Sequence, residues 1–438
     1  MSNNKKLIKN GLLVNSNEIT KNDILIDNGK IDKIGDLSDL SCNNIIDASN
    51  KYVLPGLIDP QVHFRDPGFP DKEDLKTGSM AAAAGGITTF FEMPNTNPST
   101  TTIERLNQKF ETASKKSIVN YSFFFGATPE NLDEIKRLKN ICGLKIFMGS
   151  STGNLLVDNY DDLDKIFAAC DRVIAVHAED EQILRESSKT IEGNDFTHHP
   201  VARPVEAAVK ATSQAIELAL KYNKRLHVLH LSTAEEVQMI RNHKSSKLIT
   251  CETTPQHLLM KSPDIYKEIG SFAQMNPPIR SERHQKELWK GLMDGTIDCI
   301  ATDHAPHTLE EKKLPYGQAP AGMPGVETSM PLMLNEVNKG RIKIQQVVKW
   351  MCENPALVYK IKNKGFLKPG YDADITIVDM NLSKIIDGSK MQSKCGWSAF
   401  DGTKTTGWPI KTIVNGNIVC DNGIISESIK GKEVKFDD

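Results

Sequence analysis

The sequence predicts a (β/α)8 barrel joined to a small β-domain that both chain ends build together, and three observations predict it. Eight short apolar runs alternate with helix-length amphipathic segments across the middle of the chain. Before and after that region the text changes to β-type runs broken by Asn-Gly turns. Within it, polar residues gather at the C-terminal ends of the apolar runs, which in such a barrel open onto one common mouth.

In chain order, Lys6 to about Asn50 carries the runs LIKNGLLV and ILIDNGKIDKIG, the pattern of a small antiparallel sheet. The eight barrel runs are LPGLIDPQVHF, GITTFFEMPN, VNYSFFFGAT, GLKIFMGS, RVIAVHAED, RLHVLHLS, KLITCETTPQH and DCIATDHAPH. Crossover helices are expected over Met80 to Ala84, Thr102 to Lys115, Pro129 to Lys139, Asp161 to Cys170, Pro204 to Tyr222, Ala234 to His243 and Ser281 to Asp294. Leu309 to Val326, rich in Gly, Pro and charge, is a candidate active-site loop able to close over substrate. Helical text resumes through Trp350 to Tyr359, and the tail returns to β-type runs in DADITIVD and IKTIVNGNIV. The expected division is a composite β-domain, residues 1–52 and 362–438, of sandwich-like form, around a barrel over 53–361.

Composition narrows the function. Lys plus Arg number 54 against 56 Asp plus Glu, so the net charge of −2 offers no general attraction to nucleic acid or to an anionic membrane. No apolar run is long enough to span a bilayer and the start MSNNKK does not resemble a secretory signal, so a cytoplasmic protein acting on a small molecule is expected. The 8 cysteines are scattered without a Cys-x-x-Cys pair, which indicates neither a disulfide scaffold nor a zinc ribbon.

The first barrel run ends Asp59-Pro60-Gln61-Val62-His63-Phe64-Arg65. Extended, it places Asp59, Gln61, His63 and Arg65 on one face and Val62 and Phe64 on the other, one face for chemistry and one for packing. Asn95 closes the second run, Lys145 lies in the fourth, His177 ends the fifth, His230 the sixth, and Asp303 and His307 follow the eighth. So many metal-competent groups on separate strands point to a metal site. Lys145, embedded in Leu144-Lys145-Ile146-Phe147-Met148, must pair, lose its proton, snorkel to the rim or be modified. As a neutral amine it can take up CO2 and become a carbamate, an anionic ligand. His177 and His230 have carboxylate or hydroxyl neighbours in HAED and HLST, whereas His227 is expected on the opposite face as a core residue. Asp303 can touch a metal and accept a proton from its water, or cap a helix. The pair His198-His199 reads as solvated loop.

These residues resemble the amidohydrolase superfamily, and within it the cyclic-amide hydrolases, most of all the dihydroorotases. The resemblance covers essentially the whole chain and rests on DPQVHFRDPG (59–68), MPNTN (93–97), Lys145, His177, His230, NPPIR (276–280) and TDHAPH (302–307). It implies a binuclear Zn2+ site bridged by a carbamate on Lys145, with His63 and Asp303 among the ligands, His177 and His230 holding one ion, and Asp303 as general acid and base. It also implies that Arg65, Asn95 and His307 bind the dihydroorotate carboxylate, and that Asn276 and the backbone from Gly322 to Val326 contact the ring.

One departure matters. The family has His-x-His where this sequence has Gln61-Val62-His63, and an amide oxygen is a poorer zinc ligand than imidazole. One of the two metal positions is thereby weakened, leaving Lys145, His177 and His230 to hold a single zinc. The resemblance implies reversible hydrolysis of dihydroorotate to N-carbamoyl-aspartate in pyrimidine biosynthesis. Alternatives are a hydantoinase, dihydropyrimidinase or allantoinase, or a non-catalytic subunit partnering aspartate transcarbamoylase. Homo-oligomers are common among such enzymes.

Overall fold

The computed structural model describes residues 5–149 and 155–437. Its centre is a parallel sheet of β1 (Leu57–Val62), β2 (Ile87–Glu92), β3 (Asn120–Gly126), β4 (Gly143–Phe147), β5 (Ile174–His177), β6 (Leu226–Val228), β7 (Ile249–Thr253) and β8 (Cys299–Ile300), each paired with the next. Contacts between the segment after β8 and β1 close the ring. Val62 bridges His304, His63 N donates to His304 O at 2.7 Å, and the Asp59 carboxylate takes hydrogen bonds from Thr302 N and Oγ1 at 3.1 and 2.6 Å. The alternation expected in the first strand holds: Val62 and Phe64 are fully buried in the packing between barrel and helices, while Gln61, His63 and Arg65 face the mouth.

Crossover helices form at Leu75–Ala84, Ile103–Lys116, Tyr160–Ala169, Val205–Lys221, Ala234–His243 and Glu282–Asp294. Local chemistry starts them: Thr102 Oγ1 accepts from Arg105 N, and Thr233 and Glu236 form a reciprocal capping box. The exception is the third crossover, where the expected helix over Pro129 to Lys139 is a single turn, Leu132–Ile135. Asn131 explains it. Its side chain accepts from Thr128 N and donates to Thr101 O and Gly126 O, tying the chain back to β3 rather than capping a helix.

Both termini supply the remaining sheets. A four-stranded sheet contains Lys6–Lys9, Asp23–Asp27, Lys30–Gly35 and Ile45–Asp47. A seven-stranded sheet orders Ile424–Ile425, Asn417–Asp421, Lys404–Val414, Ile375–Ile385, Tyr52–Pro55, Leu12–Val14 and Ile19–Lys21. Their facing side chains, including Ile8, Ile24, Val53, Ile375 and Ile413, share one apolar core. The strand Tyr52–Pro55 runs through Gly56 straight into β1; a Cβ on Gly56 would stand 2.2 Å from Thr88 Oγ1, so only glycine fits this junction. The last residues leave the sheet and return to the barrel: Val434 N donates to Tyr121 O at 3.0 Å, and Val434 and Phe436 pack with Tyr359, Phe91 and Phe124 across its N-terminal end. All the cysteines are free, and among the described residues no helix is long and apolar enough to cross a membrane.

Candidate active site

Every side chain nominated from the sequence lines one cavity of about 260 Å3 at the C-terminal mouth of the barrel, together with Phe147, Ala305, Pro320 and Ala321. The backbone is bent to bring them there. Arg65, His230 and Asp303 have φ of 64°, 37° and 48°, left-handed values that are unfavourable for residues with a Cβ, and most of the other non-glycine residues with positive φ are asparagines. Each such residue costs about 1–3 kcal/mol and persists where the surroundings over-determine it, as at sites of function. For His230 the turn matters directly, because it swings the ring inward two residues beyond the end of β6.

On one wall, His177 Nδ1 lies 3.0 Å from His230 Nε2, with the rings nearly perpendicular. His177 Nε2 is 2.9 Å from Glu179 Oε2, and Glu179 is fully buried and ion-paired with Arg203. That pairing and the His177 contact hold the Glu179 carboxyl well below its usual range despite its burial. An ionised Glu179 keeps the His177 proton on Nε2, so Nδ1 presents its lone pair to the cavity. His230 Nδ1 is buried with no partner, and burial keeps this imidazole neutral. Lys145 stands beside them, 1% exposed. Its ammonium lies 4.5 Å from the Phe147 ring centroid and makes no hydrogen bond or ion pair among the described residues, so it does not snorkel to the rim. Burial pulls it down to about 7, against the charges of Asp303 and Glu252.

This donor set fits a metal ion: two imidazole nitrogens already meet, and the carboxylate behind one of them fixes its tautomer. Among the described residues no group of three His, Cys, Asp or Glu side chains could hold a metal ion. Lys145 is the polar side chain that stands beside the two histidines on this wall.

The opposite wall is organised by hydrogen bonds. Gln61 Nε2 donates to Asp303 Oδ1 at 2.9 Å, and His63 reaches Asp303 Oδ1 with Nε2 at 3.2 Å and Asn95 Oδ1 with Nδ1 at 2.7 Å. The Gln61 oxygen is buried without a partner. Asp303 caps no helix; that role belongs to Thr308 in the next helix, Leu309–Lys312.

Cations gather on the third side. Arg65 is only 8% exposed, donates Nε to Pro306 O at 3.3 Å, and forms no salt bridge among the described residues. Burial lowers it to about 10, with several carboxylates acting the other way from a distance. His307 sits between Arg65 Nη2 at 3.3 Å, Lys72 Nζ at 3.0 Å and Ala321 O at 3.1 Å, and burial beside these cations keeps it neutral. Buried charges are normally paired, so an unpaired guanidinium facing a cavity marks a place for an anion.

The readings of three histidines need correction. His227 does not lie on the opposite face of its strand. It packs against Tyr359, which also touches Phe91 of β2 and Phe124 of β3, so it sits inside the barrel under the site, hydrogen-bonded to Thr250 and Glu252. His199 is not a solvated loop residue: 4% exposed, it places Nε2 at 3.1 Å from Asn276 Oδ1 and 2.9 Å from Met275 O. The loop after β8 already lies on the cavity, with Gly322 in its wall, while Gly325 and Val326 donate to His304 Nδ1 at 3.0 and 3.4 Å. His230 also lacks the hydroxyl partner expected from HLST. Sequence reasoning missed Arg203, Lys72, His199 and Lys312; only Glu179, two residues from His177, left a local signal.

Comparisons with known proteins agree on the family. Residues 52–419 match the amidohydrolase family model. A dihydroorotase of Methanosarcina acetivorans is 40% identical over 428 residues, covering 94% of this chain and 91% of the relative. An L-hydantoinase of Paenarthrobacter aurescens is 36% identical over 434 residues, covering 95% of this chain and 94% of the relative. Among solved structures, the L-hydantoinase (dihydropyrimidinase) from Arthrobacter aurescens superposes with a TM-score of 0.94 at 35% identity, covering 98% of this chain and 99% of that one. A dihydropyrimidinase from Brevibacillus agri gives 0.91 at 28% identity, covering 99% and 100%. On an eight-stranded barrel whose mouth gathers paired histidines, a buried lysine and a hydrogen-bonded aspartate, this similarity over nearly the whole chain means that the protein belongs to the amidohydrolase family.

Proposed function

We propose that the chain is a dihydroorotase, hydrolysing the ring amide of dihydroorotate reversibly to N-carbamoyl-aspartate within pyrimidine biosynthesis. The observation that carries this reading is the buried Arg65, without a salt bridge among the described residues, facing the cavity beside Asn95 and His307. A ring bearing a carboxylate supplies the missing anion; a plain hydantoin or dihydropyrimidine ring does not. Archaeal relatives named dihydroorotase, at 33–40% identity, support it.

His177, His230 and a carbamylated Lys145 would hold one zinc ion, with Gln61 in place of a second histidine on the other wall and His63 and Asp303 the remaining ligands open to a weaker second ion. When bound, zinc polarises a carbonyl and brings the pKa of its water to about 7. The residues of the chain do the rest. Arg65, Asn95 and His307 fix the carboxylate, and Asn276 and the Gly322 backbone fix the ring. Asp303 Oδ1 is engaged by Gln61 and His63, whereas Oδ2 takes no hydrogen bond from the described residues and is the oxygen free to move a proton. Asp303 removes a proton from the attacking water as the carbon–oxygen bond forms, then delivers it to the ring nitrogen as the carbon–nitrogen bond breaks. Atoms balance as one water added per ring opened. For this function the chain divides into the barrel over 53–361, which carries the site, and the β-domain from 1–52 and 362–438.

The test is hydrolysis by zinc-replete protein of dihydroorotate beside dihydrouracil, hydantoin and allantoin. Selective turnover of dihydroorotate is expected. Turnover of rings without a carboxylate would instead favour a hydantoinase, the second reading, which the L-hydantoinase relative and structure support.

A further inference from the structure

Lys312 is the second buried lysine near the cavity, and the mechanism above leaves it unused. It ends the short helix Leu309–Lys312, is fully buried, and forms no salt bridge among the described residues. Its ammonium instead donates to Pro320 O at 2.9 Å, to Gly322 O at 3.0 Å and, more weakly, to Gln274 O at 3.5 Å. On its other side the Trp397 ring centroid lies 5.5 Å away, and Trp397 Nε1 donates to His307 O at 2.8 Å. A charge taken out of water and met only by neutral carbonyls is costly, and an apolar residue could cover Trp397 without that cost. What only the ammonium can do is join three carbonyls that come from two separate stretches of chain.

Those stretches build the substrate wall. Pro320, Ala321 and Gly322 line the cavity, and Gln274 lies two residues before Asn276, which also lines it. Gly322 N donates to Gln274 O at 2.8 Å, so the two stretches meet at the point the ammonium holds. The wall fits closely against the anion-facing residues: Ala321 O is 3.1 Å from His307 Nε2, and a Cβ on Gly322 would stand 2.7 Å from Ala305 O and 3.1 Å from His307 Nε2. A shift of this wall therefore moves His307, and with it the Arg65 side of the cavity.

We propose that Lys312 is a positioning residue for substrate binding, holding the 320–322 wall against the 274–276 segment and thereby setting the place of the ring and its carboxylate; the effect on substrate rests on the dihydroorotase reading, the effect on the wall does not. The test uses Lys312→Met and Lys312→Gln in the full-length, zinc-replete protein, the glutamine keeping one donor in case the methionine variant does not fold. Steady-state kinetics with dihydroorotate should show KM raised about tenfold or more with kcat within about threefold, the pattern of lost binding common to ground and transition states. Zinc content should stay at the wild-type value. Hydrogen exchange without substrate should be faster than in wild type in peptides spanning 315–323. An unchanged KM in a folded variant, or exchange across 320–322 as slow as in wild type, overturns the proposal. If the wild-type protein leaves dihydroorotate intact, the functional reading fails, and the exchange measurement alone still decides what Lys312 does.

Discussion

The two walls of the cavity satisfy their polar groups in opposite ways. Gln61, His63, Asn95 and Asp303 are linked to one another by hydrogen bonds of 2.7–3.2 Å. Facing them, His177 and His230 turn nitrogens toward each other at 3.0 Å, His230 Nδ1 has no partner, and Lys145 has neither a hydrogen bond nor an ion pair among the described residues. A buried group left without a partner is costly; among the described residues the first wall has one such atom, the Gln61 oxygen, whereas the second has both an imidazole nitrogen and the Lys145 amine. In the proposed function the second wall would hold the ion and the first the proton carrier.

The sharpest way to break this contrast is to disable the proton wall alone. Asp303→Asn should lower kcat about 10²–10⁴-fold, the range for loss of a general acid–base group, while zinc content stays unchanged. Loss of zinc along with activity would place Asp303 on the ion side instead. Arg65→Met comes next: dihydroorotate binding should weaken by about 2–5 kcal/mol, because the substrate carboxylate is left without its desolvated partner. Isothermal titration with the product N-carbamoyl-aspartate checks this, and an unchanged affinity would put the anion elsewhere.

Smaller effects sharpen the ion wall. Glu179→Gln removes the carboxylate that sets the His177 tautomer, and zinc affinity, read by competition with a chelator, should fall about 10–100-fold. No change would mean that Nδ1 is not the coordinating atom. Gln61→His should alter the fold least and the metal count most visibly, adding zinc capacity on the proton wall; a count that stays at the wild-type value would show that Gln61 is not what limits it.

Much of the barrel was legible because parallel strands buried on both faces read as short apolar runs, and because polar residues at their ends stand out against that background. The strict alternation from Asp59 to Arg65 gave the facing of the first strand residue by residue. Alternation failed at His230, where a φ of 37° after β6 turns the ring into the mouth and leaves His227 inside the barrel below it. The third crossover shrank to one turn because Asn131 binds back to β3, a tertiary contact that helix propensity does not register. Arg203, His199 and Lys312 were invisible for the same reason. Their partners Glu179, Asn276 and Gly322 lie 24, 77 and 10 residues away, and nothing in a charged or loop-like stretch reveals that it is buried.

The most direct test of the division between the walls is anomalous diffraction at the zinc edge from crystals of zinc-replete protein. A single strong peak bound by His177 Nδ1, His230 Nε2 and a carbamylated Lys145, with Gln61 still hydrogen-bonded to Asp303, is the predicted result. A principal peak on His63 and Asp303 instead, with His177 and His230 bare, would contradict it.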